Sequence, residues 1–311
     1  MTEQDRIHSL VARFGASADR IVVPSGDDAA VVRADGAVSV TSIDAVVEGV
    51  HFELPAWPLE AVGRKAVAAA LSDLAAMGAS AGEVYVAAGL PKELSEAGFD
   101  ALCDGIAAAA EECGAGVAGG DLSSAGELWL SVTVVGYAAT DDAVVTRAGA
   151  QPGDAIVVTG ALGGSARAIE LIAAGTDSAD PRLMKQFAPI PRFAAGAALA
   201  AHGATAMIDI SDGLARDAGQ VGDASGVQLT IELASVPLAA GIEDAAFAAA
   251  SGEEYELLAT LPQGQVEFAK SAVAETGTTL TVIGQVTEGT GAELLNVDGA
   301  RLEIRGFDHF D

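Results

Sequence analysis

Between Lys65 and Glu83 the chain carries a single charged residue, Asp73, in a stretch otherwise made of alanine, leucine and other small or apolar residues. The stretch reads as one helix. Pro58 suits a first helical position, Val62, Ala66, Ala69 and Leu74 carry the periodicity to Met77, and Gly78 follows its end. A helix this apolar has to be covered by the rest of the fold, and covering it buries a carboxylate, which is costly unless something compensates. A metal ion bound at Asp73 is the economical compensation. No uncharged apolar run reaches the ~18 residues needed to span a membrane.

Strands at 38–44, 84–86 and 128–137 alternate with this helix and with a second at 94–113, the pattern of a mixed α/β domain. Ile7, Leu10, Val11 and Phe14 mark a short amphipathic helix before them, closed by Gly15. Residues 138–153 are richer in Asp, Gly and Pro and form the best boundary, and 311 residues are enough for two domains. The expected division is an N-terminal domain over 1–140 and a C-terminal α/β domain over 148–311. The second domain should hold strands at 155–159, 205–208 and 227–232, helices at 164–174, 193–202 and 213–221, and closing strands near 255–261, 281–286 and 301–305.

The balance of 44 acidic against 16 basic residues, four of them lysines, gives a net charge of −28. The acids are scattered and not run together in a tail, so they read as a solvation strategy for a concentrated-salt cytoplasm rather than as an acidic partner surface. At about 1 M salt the Debye length is only ~3 Å, which screens the self-repulsion. The same balance excludes nucleic acid, whose backbone asks for a basic patch. Cys103 and Cys113 lie ten residues apart on one expected helix, too far for a disulfide, and the N-terminus has no apolar signal-peptide core. A cytoplasmic location follows.

Seven aspartates sit in short glycine- or serine-bearing motifs: Asp27 and Asp28 after Gly26, Asp44 after Ser42-Ile43, Asp73 after Ser72, Asp121 after Gly119-Gly120, and Asp209 and Asp212 around Ile210-Ser211. Singly, such residues are turn formers and helix caps. Together they suit hard divalent cations, above all Mg²⁺, which pairs one or two carboxylates with substrate phosphates. Asp209 and Asp212 are three apart around a turn that opens a helix, whose N-terminus also favours phosphate. His51 and Arg147 could each meet a phosphate, or be a structural histidine and a solvated linker arginine. The glycines at 114, 116 and 119 leave a helix and enter a strand, the reverse of a dinucleotide fingerprint. Residues 160–165 join a strand to a helix without the lysine of a P-loop and read as a tight turn. No Ser/His/Asp or Cys/His arrangement for covalent catalysis stands out.

In order along the chain, Gly26-Asp27-Asp28-Ala29-Ala30, Ile43-Asp44, Glu48-Gly49-Val50-His51-Phe52, Ser72-Asp73-Leu74-Ala75-Ala76-Met77-Gly78-Ala79, Gly119-Gly120-Asp121, Thr146-Arg147-Ala148-Gly149, Asp209-Ile210-Ser211-Asp212-Gly213-Leu214 and Gly306-Phe307-Asp308-His309-Phe310 resemble the thiamine-monophosphate kinase family. The resemblance covers essentially the whole chain. It implies the fold shared with aminoimidazole ribonucleotide synthetase, selenophosphate synthetase and the hydrogenase maturation protein HypE. That fold has an N-terminal α/β domain whose sheet pairs across a homodimer into a barrel, and a C-terminal α/β domain. The activity implied is direct in-line transfer of phosphate from ATP to thiamine monophosphate, with several Mg²⁺ ions and no nucleophilic side chain. K⁺ is carried as a further candidate cofactor. By the same resemblance Asp28, Ser42, Ile43 (through its backbone), Asp44, Asp73, Asp121, Asp209 and Asp212 hold metal. Gly120, Asp121, Arg147 and Ser211 contact ATP, and His51, Glu253 and Phe307 touch thiamine monophosphate.

Three positions depart from the family pattern. Glu254 stands where an aspartate is usual, Ile43 replaces a common threonine, and Phe307 replaces tyrosine or tryptophan, keeping a stacking face without the polar handle. A selenophosphate synthetase would carry a reactive cysteine in a glycine-rich N-terminal segment, and HypE a C-terminal one. Neither Cys103 nor Cys113 is so placed. A non-catalytic acidic protein binding salt cations would have aspartate loops unrelated in space.

Overall fold

In a computed structural model the apolar stretch forms helix α1 (Leu59–Ala76), and fourteen of its residues are buried. Pro58 is its N-cap, one position earlier than the sequence places it, and Met77 its C-cap. The structure describes residues 21–23, 29–34, 37–304, 306 and 307. The expected helix around 7–14, Asp27, Asp28 and the closing residues 308–310 lie outside the described residues.

Helix α1 is buried on nearly every side because two sheets' worth of structure meet on it. One face packs under an N-terminal six-stranded sheet formed by β1 (Ile21–Val23), β2 (Ala30–Ala34), β3 (Ala37–Val47), β4 (Ser80–Pro91), β5 (Gly116–Ala125) and β6 (Trp129–Ala138). Their order is β1-β2-β3-β6-β4-β5, antiparallel except for β4 with β5. Helix α2 (Glu96–Glu112) lies beside α1 on the same face. Cys103 and Cys113 are both free thiols, the second pushed up to about 11 chiefly by burial.

The chain then enters β7 (Ala155–Thr159), α3 (Gly164–Ala173), α4 (Met184–Phe187), α5 (Phe193–Ala201), β8 (Ala206–Asp209), α6 (Leu214–Ser225), β9 (Gln228–Glu232), α7 (Ala245–Ala250), β10 (Leu257–Leu261), α8 (Val266–Glu275), β11 (Leu280–Thr287), β12 (Gly291–Leu295) and β13 (Arg301–Leu302). The second sheet is ordered β13-β12-β9-β11-β7-β10-β8. Within one chain both sheets are open rather than closed into a barrel.

The domains join through α1, which contacts α4, α5 and β8 of the C-terminal domain. Contact is closest where α1 crosses α5, because a Cβ on Gly196 would sit 2.1 Å from the Ala75 carbonyl oxygen. Glycine is the residue that lets the two backbones approach this far. The apolar seam follows: Ala76 and Val145 pack with Ala195 and Leu199, while Phe187 and Leu183 pack into the N-terminal core.

Strand β3 alternates cleanly. Val38, Val40, Ser42 and Val46 face the helices, whereas Ile43 is 66 % exposed on the opposite face. That outer face also carries Tyr85 and Tyr137, both exposed, while edge strand β5 is exposed along nearly its whole length.

Candidate functional site

The two domains enclose a cavity of about 560 Å³. Its lining includes Asp44 from β3, Asp73 from α1, Asp209 at the end of β8, and Ser211 and Asp212 from the turn that follows. His51, Glu253 and Phe307 line it as well. Four of the seven aspartates singled out by sequence are thus brought to one place from three elements remote in the chain.

Each acid has a local reason for its position. Ser42 and Asp44 lie on the helix-facing side of β3, and the Ser42 hydroxyl donates to Asp73 Oδ2 across to α1. The residue before Asp73, Ser72, donates from Oγ to Asp209 Oδ2 at 2.6 Å. Ile43 points its side chain to the outer face, which leaves only its backbone on the side of Asp44. The combined negative field has consequences for neighbours. Burial and then the charges of Glu253, Asp44, Asp209 and Asp73 push the Tyr255 phenol well up. Burial, Asp212 and Asp209 do the same to the Asp217 carboxyl. Among the described residues no three His, Cys, Asp or Glu side chains are gathered tightly enough to chelate one ion by themselves. A cavity of separated carboxylates fits a hard cation that completes its shell with phosphate oxygens and water.

The turn 211–213 is held from behind. Asp217 Oδ2 accepts from the backbone amides of Ser211, Asp212 and Gly213 at 3.1, 3.1 and 3.0 Å. A buried carboxyl of α6's own first turn thus takes the amide donors of the turn that leads into the helix. The turn 160–165 is likewise occupied. Glu254 Oε1 accepts from Gly163 and Ser165 amides at 2.8 and 3.0 Å, so the glycine-rich segment is structural, as its sequence suggests. Glu254 therefore has a role its family substitution left unassigned: it caps α3.

Glu253 and Tyr255 have φ of 57° and 52°, the left-handed region that non-glycine residues avoid. The alternation turns both toward the cavity and sends Glu254 and Glu256 behind it. There Glu256 meets Arg192 through two bonds of 2.8 and 2.6 Å and Lys185 at 2.8 Å. The Glu253 amide donates to Ser211 O at 2.7 Å, fastening this strained segment to the Asp209–Asp212 turn. Phe307 also rests on that turn: its amide donates to Asp212 O at 3.0 Å and its carbonyl accepts from Arg216. A Cβ on Gly306 would stand 2.5 Å from Asp212 O, so only glycine permits the tail to lie there.

His51 is anchored as well as exposed to the cavity, since its Nδ1 accepts from the Val47 amide at 3.1 Å. Arg147 is not in the lining. It bonds Gln220 Oε1 on α6 at 2.6 Å, and its carbonyl accepts from Ser225. Gly120 and Asp121 also lie elsewhere. By strand pairing Asp121 shares a row with Ala87, Ser131 and Ala45, whereas Gly120 shares one with Val86, Val132 and Asp44. Asp121 therefore projects on the outer face, opposite to Asp44, and is three strand spacings away, about 14 Å. Lys65, Gln186, Ser72, Tyr255 and Asp217 are site residues that motif reading missed. The cue that marked Asp73, a charge in an alanine-rich helix, was present at Lys65 too.

A two-domain chain with such a carboxylate-lined cleft is of the AIR synthase related class: residues 26–138 match the AIR synthase related protein, N-terminal domain, and residues 151–295 match its C-terminal domain. A thiamine-monophosphate kinase of Halobacterium salinarum is 38 % identical over 299 residues, covering 93 % of this chain and 96 % of that one. One from Mycobacterium tuberculosis is 41 % identical over 231 residues, 74 % of this chain and 68 % of that one. The solved structure of AaThiL complexed with AMPPCP and TMP superposes with a TM-score of 0.86 at 28 % identity, covering 99 % and 97 % of the two chains. The chain belongs to the thiamine-monophosphate kinase family.

Proposed function

We propose that this protein transfers the γ-phosphoryl group of ATP to thiamine monophosphate, giving thiamine diphosphate and ADP. One observation carries the reading: Asp44, Asp73, Asp209 and Asp212 converge on a cavity that also holds His51, Glu253 and Phe307. The acceptor is already an ionised phosphate, so its oxygen needs no general base. A bond forms from that oxygen to the γ-phosphorus as the bond to the bridging oxygen of ADP breaks. The work left to the protein is positioning and charge neutralisation. Asp28, Ser42, the Ile43 backbone, Asp44, Asp73, Asp209 and Asp212 would hold Mg²⁺, which when bound neutralises charge on the transferring phosphates. Glu253 and the exposed Phe307 ring suit a cationic aromatic substrate.

The outer face of the N-terminal sheet supports a homodimer, with Ile43, Tyr85 and Tyr137 exposed on it and β5 uncovered. In that dimer the partner subunit's Gly120 and the partner subunit's Asp121 complete the nucleotide side, since within one chain those positions are remote from Asp44. Arg147 sits at the flank of α6 as a nucleotide contact. The charge of −28 matches work in concentrated salt. Convergence of the aspartate loops in space counts against a merely salt-solvating protein. The deciding experiment supplies ATP and Mg²⁺ with thiamine monophosphate, selenide or an aminoimidazole-pathway substrate. Formation of thiamine diphosphate supports the reading, and consumption of another acceptor alone overturns it.

A further inference from the structure

Lys65 is 1 % exposed, an unusual burial for a lysine, yet it belongs to the cavity wall. Its ammonium donates to three oxygens: His51 O at 3.0 Å, Gln186 Oε1 at 2.8 Å, and Glu253 Oε1 at 2.6 Å. That number equals its three N–H bonds. The ammonium also stands 4.7 Å from the centre of the Trp57 ring, which packs edge-on against Phe187 of the other domain. Gln186 takes the other half of the same carboxylate, its Nε2 donating to Glu253 Oε2 at 3.0 Å and to Ser165 Oγ at 2.6 Å.

His51 belongs to the turn after β3, whereas Gln186 and Glu253 belong to the C-terminal domain. Two of the three fixed partners of Lys65 are therefore the polar residues expected to touch the acceptor, one from each domain. We propose that Lys65 is a positioning residue for the acceptor half of the site: with Gln186 it clamps Glu253 and the His51 turn together, so that this half is assembled only when the two domains are docked. Glu253 sits on left-handed backbone, a conformation that persists only where its surroundings over-determine it. The clamp is that surrounding. The burial that lowers the basicity of Lys65 is opposed by the Glu253 charge, which keeps the ion pair together. Nothing here requires the lysine to meet a reacting atom.

The proposal rests on the kinase reading for the identity of the acceptor, so its test has an arm that does not. Lys65→Met keeps the length and apolar stem and removes the charge. Gln186→Leu, which leaves no buried charge unpaired, serves if the first variant does not fold. For each, KM for thiamine monophosphate should rise by about tenfold or more while KM for ATP stays within about threefold, the signature of a lost charge-assisted contact confined to one half-site. Amide exchange on the full-length protein without substrate should quicken in peptides covering 182–192 and 251–257 and stay unchanged in β6. Equal rises in both KM values, or unchanged exchange in those peptides, would overturn the clamp. If the unmodified enzyme leaves thiamine monophosphate untouched, the kinase reading fails, and the exchange arm alone judges the clamp.

Discussion

The Ser72 hydroxyl and the Asp209 carboxylate, both buried, are joined by a 2.6 Å hydrogen bond that runs from α1 of one domain to the end of β8 in the other. The adjacent Asp73 turns the other way and accepts from Ser42 on β3. Two serine hydroxyls thus hold one carboxylate from each domain beside α1.

Ser72→Ala should remove the donor to a buried carboxylate and cost about 1–3 kcal/mol of stability. Urea unfolding measured in chelator and in excess Mg²⁺ separates two cases. The loss should shrink in Mg²⁺, because an ion at Asp209 neutralises the carboxylate that the variant leaves without its donor, and so binds and stabilises the variant more than the unmodified protein. The same loss in both solutions would argue that Asp209 holds no metal.

Asp73→Asn preserves an oxygen for the Ser42 hydroxyl and removes the negative charge. If Asp73 anchors Mg²⁺, kcat should fall on the order of 10²-fold or more, from lost charge stabilisation in the transition state. Melting without metal should be unchanged or slightly higher, since a half-buried carboxylate is a cost when nothing is bound. Near-normal turnover across a Mg²⁺ titration would remove Asp73 from the metal set.

Burial pushes the Glu254 carboxyl above the ordinary glutamate range, against the opposing pull of Lys185, Ser251 and two backbone amides. Its Oε2 is the one buried side-chain polar atom among the described residues without a hydrogen bond. A raised folded value means the folded state holds the proton more tightly than the unfolded one. The stability this group contributes is then fully present below the unfolded value, about 4.3, and is lost as pH rises through the folded value. Glu254→Gln keeps an acceptor for the α3 amides and cannot ionise. Its stability relative to the unmodified protein should rise with pH above that point in chemical unfolding curves. A constant difference across pH would show that Glu254 is charged at no cost in the fold.

A net charge of −28 carried with only four lysines should make folding depend on screening. The melting midpoint should climb steadily from about 0.1 to about 3 M salt, as the Debye length falls from ~10 Å to below ~3 Å. A midpoint indifferent to salt would assign the acidity another purpose.

Most of the helices and strands were legible from local pattern, because hydrophobic periodicity and caps act within a few turns. Helix α6 runs on to Ser225, past the expected end at Val221: a Cβ on Gly222 would meet Gly291 O at 2.1 Å, so this glycine serves a backbone crossing and not a helix end. Strand β12 and helices α7 and α8 lacked a cue of that kind. Asp73 could be singled out from sequence alone because the apolar surroundings that make a carboxylate costly are its own neighbours along one helix.

Other features of the site depended on partners far along the chain. Lys65 and Gln186 are 121 residues apart, and no local signal pairs them. The outward face of Asp121 follows from the registers of β4 and β6, and the engagement of the 211–213 amides by Asp217 from a side chain folding back on the turn before its own helix. By itself the sequence determined the acid chemistry, the buried helix and the two-domain α/β class, since these follow from residue type and short-range periodicity. Only the tertiary structure decided which carboxylates share a cavity, which amides are already taken, and which cation holds the acceptor side together. Those outcomes depend on distances set when two separately patterned domains pack on opposite sides of α1.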